Sequence, residues 1–312
     1  MSLAENVLAG DRRSLARLLT WLEEEDPRGD SALAELFSHT GSAHRVGVTG
    51  PPGTGKSTLV NQAAAWCRKR GEPRVAVLAV DPTSPFSGGA ILGDRIRMRD
   101  LAGDEGIFIR SMASRGALGG LSRRSGDLIE ALDAAGHTRI FIETVGAGQA
   151  EVDIARMADT TVVVEAPGMG DDIQALKAGI LEIADVLVVN KSDLPGAAAA
   201  ERALRSSLEL ASARPGGWEP ALVATAAETG QGIDELMAAI DGHRAYLRDS
   251  GEGERRRRAR AAARLENELR HALTDRFRRG LSDGRYEAAV DAVAERRRTP
   301  SQAAEDLIQG RG

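Results

Sequence analysis

A chain of 312 residues exceeds one average domain, and its 42% apolar and 28% charged residues are ordinary for a folded, water-soluble protein. The formal net charge of -5 argues against nucleic-acid binding through the whole surface, and no apolar run reaches the roughly 18 residues of a membrane span. Cys67 is the single cysteine, so neither an internal disulfide nor a thiolate metal cluster can form within one chain, which fits a reducing, cytoplasmic setting.

Residues 3 to 40 carry no strand pattern. Leu15, Leu18, Leu19 and Leu22 recur at helical spacing, and Leu33, Leu36 and Phe37 do so again after the break at Pro27 to Gly29. This predicts an N-terminal helical extension over residues 1–43, its stripe covered by the core or by a second subunit. From His44 the chain alternates strands and helices through residue 248. Apolar, β-branched runs at 44–49, 74–80, 106–110, 138–143, 160–166, 185–190 and 220–225 predict an α/β domain built on a mainly parallel sheet covered on both faces. Such sheets bind ligands at the carboxyl ends of their strands, so the residues after each run are the informative ones.

After the first run comes Gly50-Pro51-Pro52-Gly53-Thr54-Gly55-Lys56-Ser57, followed by Thr58 and a helical pattern to Arg70. This is a P-loop in its strand-to-helix setting: glycines let backbone N–H groups curl around a phosphate while the helix presents its positive end to the same anion. Lys56 is expected to bridge the β and γ phosphates, and the Ser57 hydroxyl to take one place on Mg²⁺. After the second run comes Asp81-Pro82-Thr83-Ser84, then Gly93-Asp94-Arg95. Asp81 and Asp94 could converge on Mg²⁺ or the attacking water; Asp81 could equally begin an Asp-Pro turn.

The run 138–143 ends in Glu143-Thr144-Val145-Gly146. In nucleotide switches a strand-terminal acid holds the metal, and a glycine three positions later offers its N–H to the γ-phosphate. Here the acid is Glu143 and Gly146 is followed by Ala147, so the water-positioning glutamine of small GTPases is absent from that place, with Gln149 two residues on. Intrinsic hydrolysis is therefore expected to be slow. The run 185–190 leads into Asn190-Lys191-Ser192-Asp193, an N-K-x-D match. Guanine offers two adjacent donors that one carboxylate can accept, so Asp193 selects GTP over ATP. Past the last strand, backbone N–H groups of Ala226 and Ala227 could cover the guanine O6.

Residues 249–312 return to helix. Leu265, Leu269, Leu273 and Phe277 are four apart, and Thr299-Pro300-Ser301-Gln302 reads as a capping box with proline in the first turn. The basic run Arg255 to Arg258 with Arg260 reads as a solvated helix face. The apolar stripes pack on their own domain or form an arm that clasps a second subunit.

Collected together, these residues closely resemble the MeaB/ArgK family of P-loop GTPases, chaperones of cobalamin-dependent acyl-CoA mutases. The resemblance runs from about Val7 to Met237. It includes Ser87-Gly88-Gly89-Ala90-Ile91-Leu92-Gly93-Asp94-Arg95, Phe108-Ile109-Arg110-Ser111-Met112-Ala113, Glu143-Thr144-Val145-Gly146-Ala147-Gly148-Gln149 and Gly170-Asp171-Asp172-Ile173-Gln174-Ala175. It implies GTP or GDP with Mg²⁺. Lys56, Ser57, Asp81, Asp94 and Glu143 would lie around phosphates and metal, and Asn190, Lys191 and Asp193 around guanine. It implies further that residues 166 to 177 are a switch in which Asp171 and Lys177 report nucleotide state to a mutase, with Lys177 joining Lys56, Asp94 and Glu143 in hydrolysis. The same stretch also reads as a plain loop and helix start, its two aspartates favouring an N-terminal dipole. A homodimer joined by residues 249–312 is implied as well. The function implied is a GTP-driven metallochaperone that gates adenosylcobalamin loading and ejects damaged cofactor. A transport-associated ATPase or kinase and a nickel-insertion GTPase are the alternatives; N-K-x-D weighs against the first, and scattered His39, His44, His137, His243 and His271 against the second.

Overall fold

The computed structural model describes residues 2–81, 103–113, 123–144, 150–168, 182–210, 217–281 and 284–310. It divides into two compact units, Met1–Glu254 and Arg255–Gly312.

The first unit is built on seven strands: β1 (His44–Thr49), β2 (Val75–Asp81), β3 (Ile107–Ala113), β4 (Arg139–Thr144), β5 (Thr160–Glu165), β6 (Val186–Val189) and β7 (Ala221–Ala224). Their order across the sheet is β3-β2-β4-β1-β5-β6-β7, and every pairing is parallel. All seven expected runs are strands, and the third extends to Ala113, beyond the expected 110. The central strands read as solid Val, Ile and Leu because both faces are covered. On one face, Val46, Val48, Val162, Val164, Val186 and Val188 pack on Leu59 and Val60 of the helix α4 (Lys56–Lys69) and on Leu236 and Ile240 of the helix Ile233–Asp249. Gly47 makes close packing possible, since a Cβ there would lie 2.5 Å from the Ile154 Cγ2.

The opposite face decides the fate of the N-terminal extension. Helices α1 (Leu3–Leu8), α2 (Arg12–Glu23) and α3 (Pro27–Leu36) are started by side-chain caps from Ser2, Asp11 and Asp26. Leu15, Leu18, Leu19, Leu22 and Leu36 then join Leu78, Ile140, Leu128 and Leu132 in one core, so the stripe packs on its own domain. Phe37 departs from that pattern: α3 ends at Leu36, a 3-10 turn begins at Phe37, and the ring is left 57% exposed. Ion pairs from Arg110 to Glu23 (2.6 Å) and from Arg124 to Asp30 (2.6 Å) tie the layer down.

The second unit is helical, made of most of Glu252–Gly280 with Arg285–Ala294 and Pro300–Ile308. The expected capping box is present: Thr299 Oγ1 accepts the Gln302 N–H at 3.2 Å and Gln302 Oε1 accepts the Thr299 N–H at 3.1 Å. Among the described residues of this unit only Ala303 is a buried hydrophobic, whereas Leu265, Leu269, Leu273 and Phe277 are 71%, 50%, 58% and 38% exposed.

Candidate nucleotide site

Because all strands run the same way, the ends of β1, β4, β6 and β7 meet along one edge of the sheet. The chain order changes direction around β1, whose neighbours are β4 and β5, and that switch point is where open parallel sheets bind ligands.

The P-loop follows β1. Gly50, Gly53 and Gly55 have φ of 138°, 80° and 89°, a left-handed region closed to most other residues. A Cβ would meet the Val164 carbonyl oxygen at 2.1 Å from Gly50 and the Asn190 Nδ2 at 2.4 Å from Gly55, so the loop is confined by β5 and by the N-K-x-D turn. Gly55 also caps α4 and has no side chain to spend on the helix's first N–H groups, which stay available to an anion. Lys56 is buried, its Nζ donating to the carbonyls of Gly50 (2.9 Å) and Pro51 (2.8 Å), and Thr54 Oγ1 donates to the Pro51 carbonyl (3.0 Å). Thr58 is half-buried in the first turn of α4.

Ser57 Oγ donates to Glu143 Oε1, so the P-loop hydroxyl and the strand-terminal carboxyl expected to share a metal are in direct contact. The Glu143 side chain is buried. An oxygen-only donor pair suits a hard cation such as Mg²⁺. Asp81 ends β2 in register with Ala113. Its side chain, and Asp94, Gly146, Gln149, Asp171 and Lys177, lie outside the described residues.

At the other end of the loop, Asn190 and Lys191, expected around guanine, bond the phosphate loop. Asn190, 2% exposed, donates Nδ2–H to the Thr54 carbonyl (2.7 Å), while its Oδ1 accepts from Thr225 Oγ1 (3.0 Å) and from the Ala227 N–H (3.1 Å). Lys191, at φ 57°, donates Nζ–H to the Gly53 carbonyl (2.8 Å). Both side chains therefore cross-brace the phosphate loop to the base loop. The Ala226 N–H donates to the Gln231 carbonyl (3.0 Å), and with Ala227 already bonded to Asn190, neither N–H is left over for guanine O6 in this arrangement. Asp193 projects from the turn and is exposed, as a base-reading carboxylate must be. Thr225, which closes this brace, was missed by the sequence reading; its one signal is a hydroxyl at the end of the last strand run.

A family model described as "Methylmalonyl Co-A mutase-associated GTPase MeaB" matches residues 15–282. Over 309 residues, 98% of this chain and 95% of the relative, the sequence is 44% identical to a protein of Pyrococcus abyssi named as a GTPase. It is 35% identical over 237 residues, 75% of this chain and 57% of the relative, to the "Methylmalonic aciduria type A homolog, mitochondrial" of Mus musculus. A crystal structure named as an LAO/AO transport system kinase superposes with a TM-score of 0.74 at 28% identity, covering 98% of this chain and 95% of the other. With the phosphate loop and base loop already assembled at one sheet edge, and a family match over most of its length, the chain belongs to the MeaB family of methylmalonyl-CoA mutase-associated GTPases.

Proposed function

We propose that this protein is a GTP-hydrolysing chaperone whose nucleotide state gates the loading of adenosylcobalamin into a cobalamin-dependent acyl-CoA mutase and the release of damaged cofactor. The observation that carries the GTPase part is the cross-brace: Asn190 and Lys191 hold the carbonyls of Thr54 and Gly53, so base loop and phosphate loop are tied into one cradle. The mutase partner is supported by the family description and by the name of the murine relative.

In this reading the N–H groups that open α4, together with Lys56, bind the phosphates, and Asp193 accepts the two guanine donors. Ser57 and Glu143, with Asp81 and Asp94, would hold Mg²⁺, which would supply neutralisation of phosphate charge. Lys56 is aimed into the loop, so its hold on an anion there strengthens as negative charge builds on the transferred group. The exposed stripe of Glu252–Gly280 joins two copies into a cytoplasmic homodimer. A second reading, a transport-associated kinase, takes its support from the name of the similar crystal structure; preference for ATP over GTP would favour it.

Hydrolysis by the chain alone is expected to be slow, and the cognate mutase to accelerate it by reordering residues 166 to 177 so that Lys177, or a residue it displaces, reaches the phosphates. Inserted cations of this kind contribute about 10³–10⁵ in well-studied GTPases, and a lysine less than an arginine. Single-turnover GTP hydrolysis with and without candidate mutases, on wild type and Lys177→Ala, tests this. Equal stimulation of both proteins removes Lys177 from the mechanism, and no stimulation by any mutase removes the chaperone role.

A further inference from the structure

At the sheet edge opposite the nucleotide loops, four side chains from different elements form one buried row. His44, the first residue of β1, places Nε2 2.8 Å from Oγ1 of Thr160, the first residue of β5. The same hydroxyl lies 2.8 Å from Nδ1 of His243 on the helix Ile233–Asp249. His243 Nε2 is 3.3 Å from Asp185 Oδ1, just before β6. The second oxygen of Asp185 accepts the Thr161 N–H at 2.8 Å, and Trp218 donates its indole N–H to the Asp185 carbonyl at 2.7 Å while its ring lies 4.9 Å from the His243 ring. All four residues of the row are buried.

Donor and acceptor chemistry leaves one consistent order of protons in this row. Asp185 Oδ1 stands at ion-pair distance from His243 Nε2, outside hydrogen-bond geometry, and a carboxylate there favours Nε2–H over a bare lone pair. A neutral imidazole has one N–H, so His243 Nδ1 is bare and takes the Thr160 O–H. The Thr160 oxygen then accepts from His44 Nε2–H, leaving His44 Nδ1 bare. That nitrogen is buried and faces no hydrogen-bond partner, which a lone pair tolerates better than an N–H would. An added proton breaks the order at either ring. On His44 it creates a buried donor with no acceptor. On His243 it reverses Thr160 and forces His44 into the wrong tautomer. Burial pushes His44 down to about 3; Asp159 pulls the other way, and Arg139 on β4, Arg244 on the helix and any charge on His243 add to the lowering.

The row matters to function because β1 and β6 run directly into the P-loop and the N-K-x-D turn, and the helix carrying His243 starts right after the loop of Thr225 and Ala227. We propose that His44, Thr160, His243 and Asp185 form a positioning brace for the nucleotide loops, with a single fixed order of protons that holds only while both imidazoles are neutral. The positioning role rests on the nucleotide-site reading given above; the order of protons does not. Strands of this length carry the effect over about 20 Å.

Long-range proton–nitrogen NMR on the full-length protein at pH 7.5 reads the tautomers. Both His44 and His243 are expected neutral with the proton on Nε2, and to stay so down to pH 5 for as long as folded signals persist. An imidazolium at His243, an Nδ1–H on His44, or protonation in place with fold and GDP affinity unchanged would overturn the proposal. Calorimetric GDP binding then separates positioning from mere stability. Thr160→Val is expected to weaken binding by about threefold or more, Thr160→Ser to keep wild-type affinity, and Leu204→Ala, a core truncation beside β6, to keep it as well. Equal affinity in Thr160→Val and wild type, or equal weakening in Leu204→Ala, overturns the positioning role. A wild type that binds no GDP would instead overturn the nucleotide reading and the positioning role with it, while NMR would still decide the order of protons.

Discussion

At the scale of single residues, the N-K-x-D turn separates into two jobs that substitution can tell apart. Asp193 is exposed and bonded to nothing the fold depends on in the described geometry, whereas Asn190 satisfies three buried groups: the Thr54 carbonyl, the Thr225 hydroxyl and the Ala227 N–H. Asp193→Asn is therefore expected to leave the melting temperature unchanged while shifting preference from GTP toward xanthosine triphosphate, whose base replaces the exocyclic donor with an acceptor. The loss for GTP is about ten- to a hundredfold, the size of one unpaired polar group at roughly 1–3 kcal/mol. Asn190→Ala leaves buried groups unpaired at about that cost each and lowers stability and nucleotide affinity together. Thermal melts paired with GTP and xanthosine triphosphate titrations check both; an Asn190→Ala protein that melts like wild type would show the brace to be incidental.

At the scale of elements, the helix Glu252–Gly280 exposes Leu265, Leu269, Leu273 and Phe277 along one side, and among the described residues its unit buries only the apolar side chain of Ala303. A stripe of that kind on a long helix gains little until a partner covers it. Leu269→Asp combined with Leu273→Asp is expected to weaken self-association by roughly a hundredfold or more, since each leucine contributes about 1.5–3 kcal/mol when fully buried. Light scattering behind gel filtration reads this, with GDP affinity as the control that stays unchanged. A wild type that is monomeric at every concentration, or a double variant that still dimerises, would refute it.

At the scale of the whole molecule, buried neutral histidines set an acid limit on stability. Burial lowers His44 to about 3 and His137 to about 4, and His137 keeps Nδ1 2.8 Å from the Leu132 carbonyl. The unfolded chain takes up these protons near pH 6.5, the folded chain only well below, so the stabilisation is complete above pH 6.5 and is lost as pH falls toward 4 and 3. Between pH 7.5 and 5 each histidine accounts for a fall of about 2 kcal/mol. Urea unfolding at pH 7.5 and 5.0 checks the sum, and a stability that is flat over that interval would contradict the burial of these rings.

Element by element, the fold class was readable because a strand buried on both faces must be continuously apolar, and seven such runs separated by helix-length segments leave little but a parallel sheet. The P-loop and N-K-x-D were readable because their chemistry is local: glycine conformation, a helix start and one carboxylate lie within a few residues of each other. The cover of the N-terminal stripe was not, since Leu18 and Leu22 look the same in sequence whether they face Leu128 and Ile140 or a second subunit. Nor was the work of Asn190, whose three partners come from Thr54, Thr225 and Ala227, far apart in the chain. The histidines make the same point, because five scattered positions include two that share one hydroxyl. Sequence alone determined the element order, the parallel sheet and the class of ligand, all of which follow from local periodicity and local backbone chemistry. Only the tertiary structure decided which polar groups are spent inside the protein and which remain for a ligand, because hydrogen bonds are saturable and their partners are chosen by proximity in space.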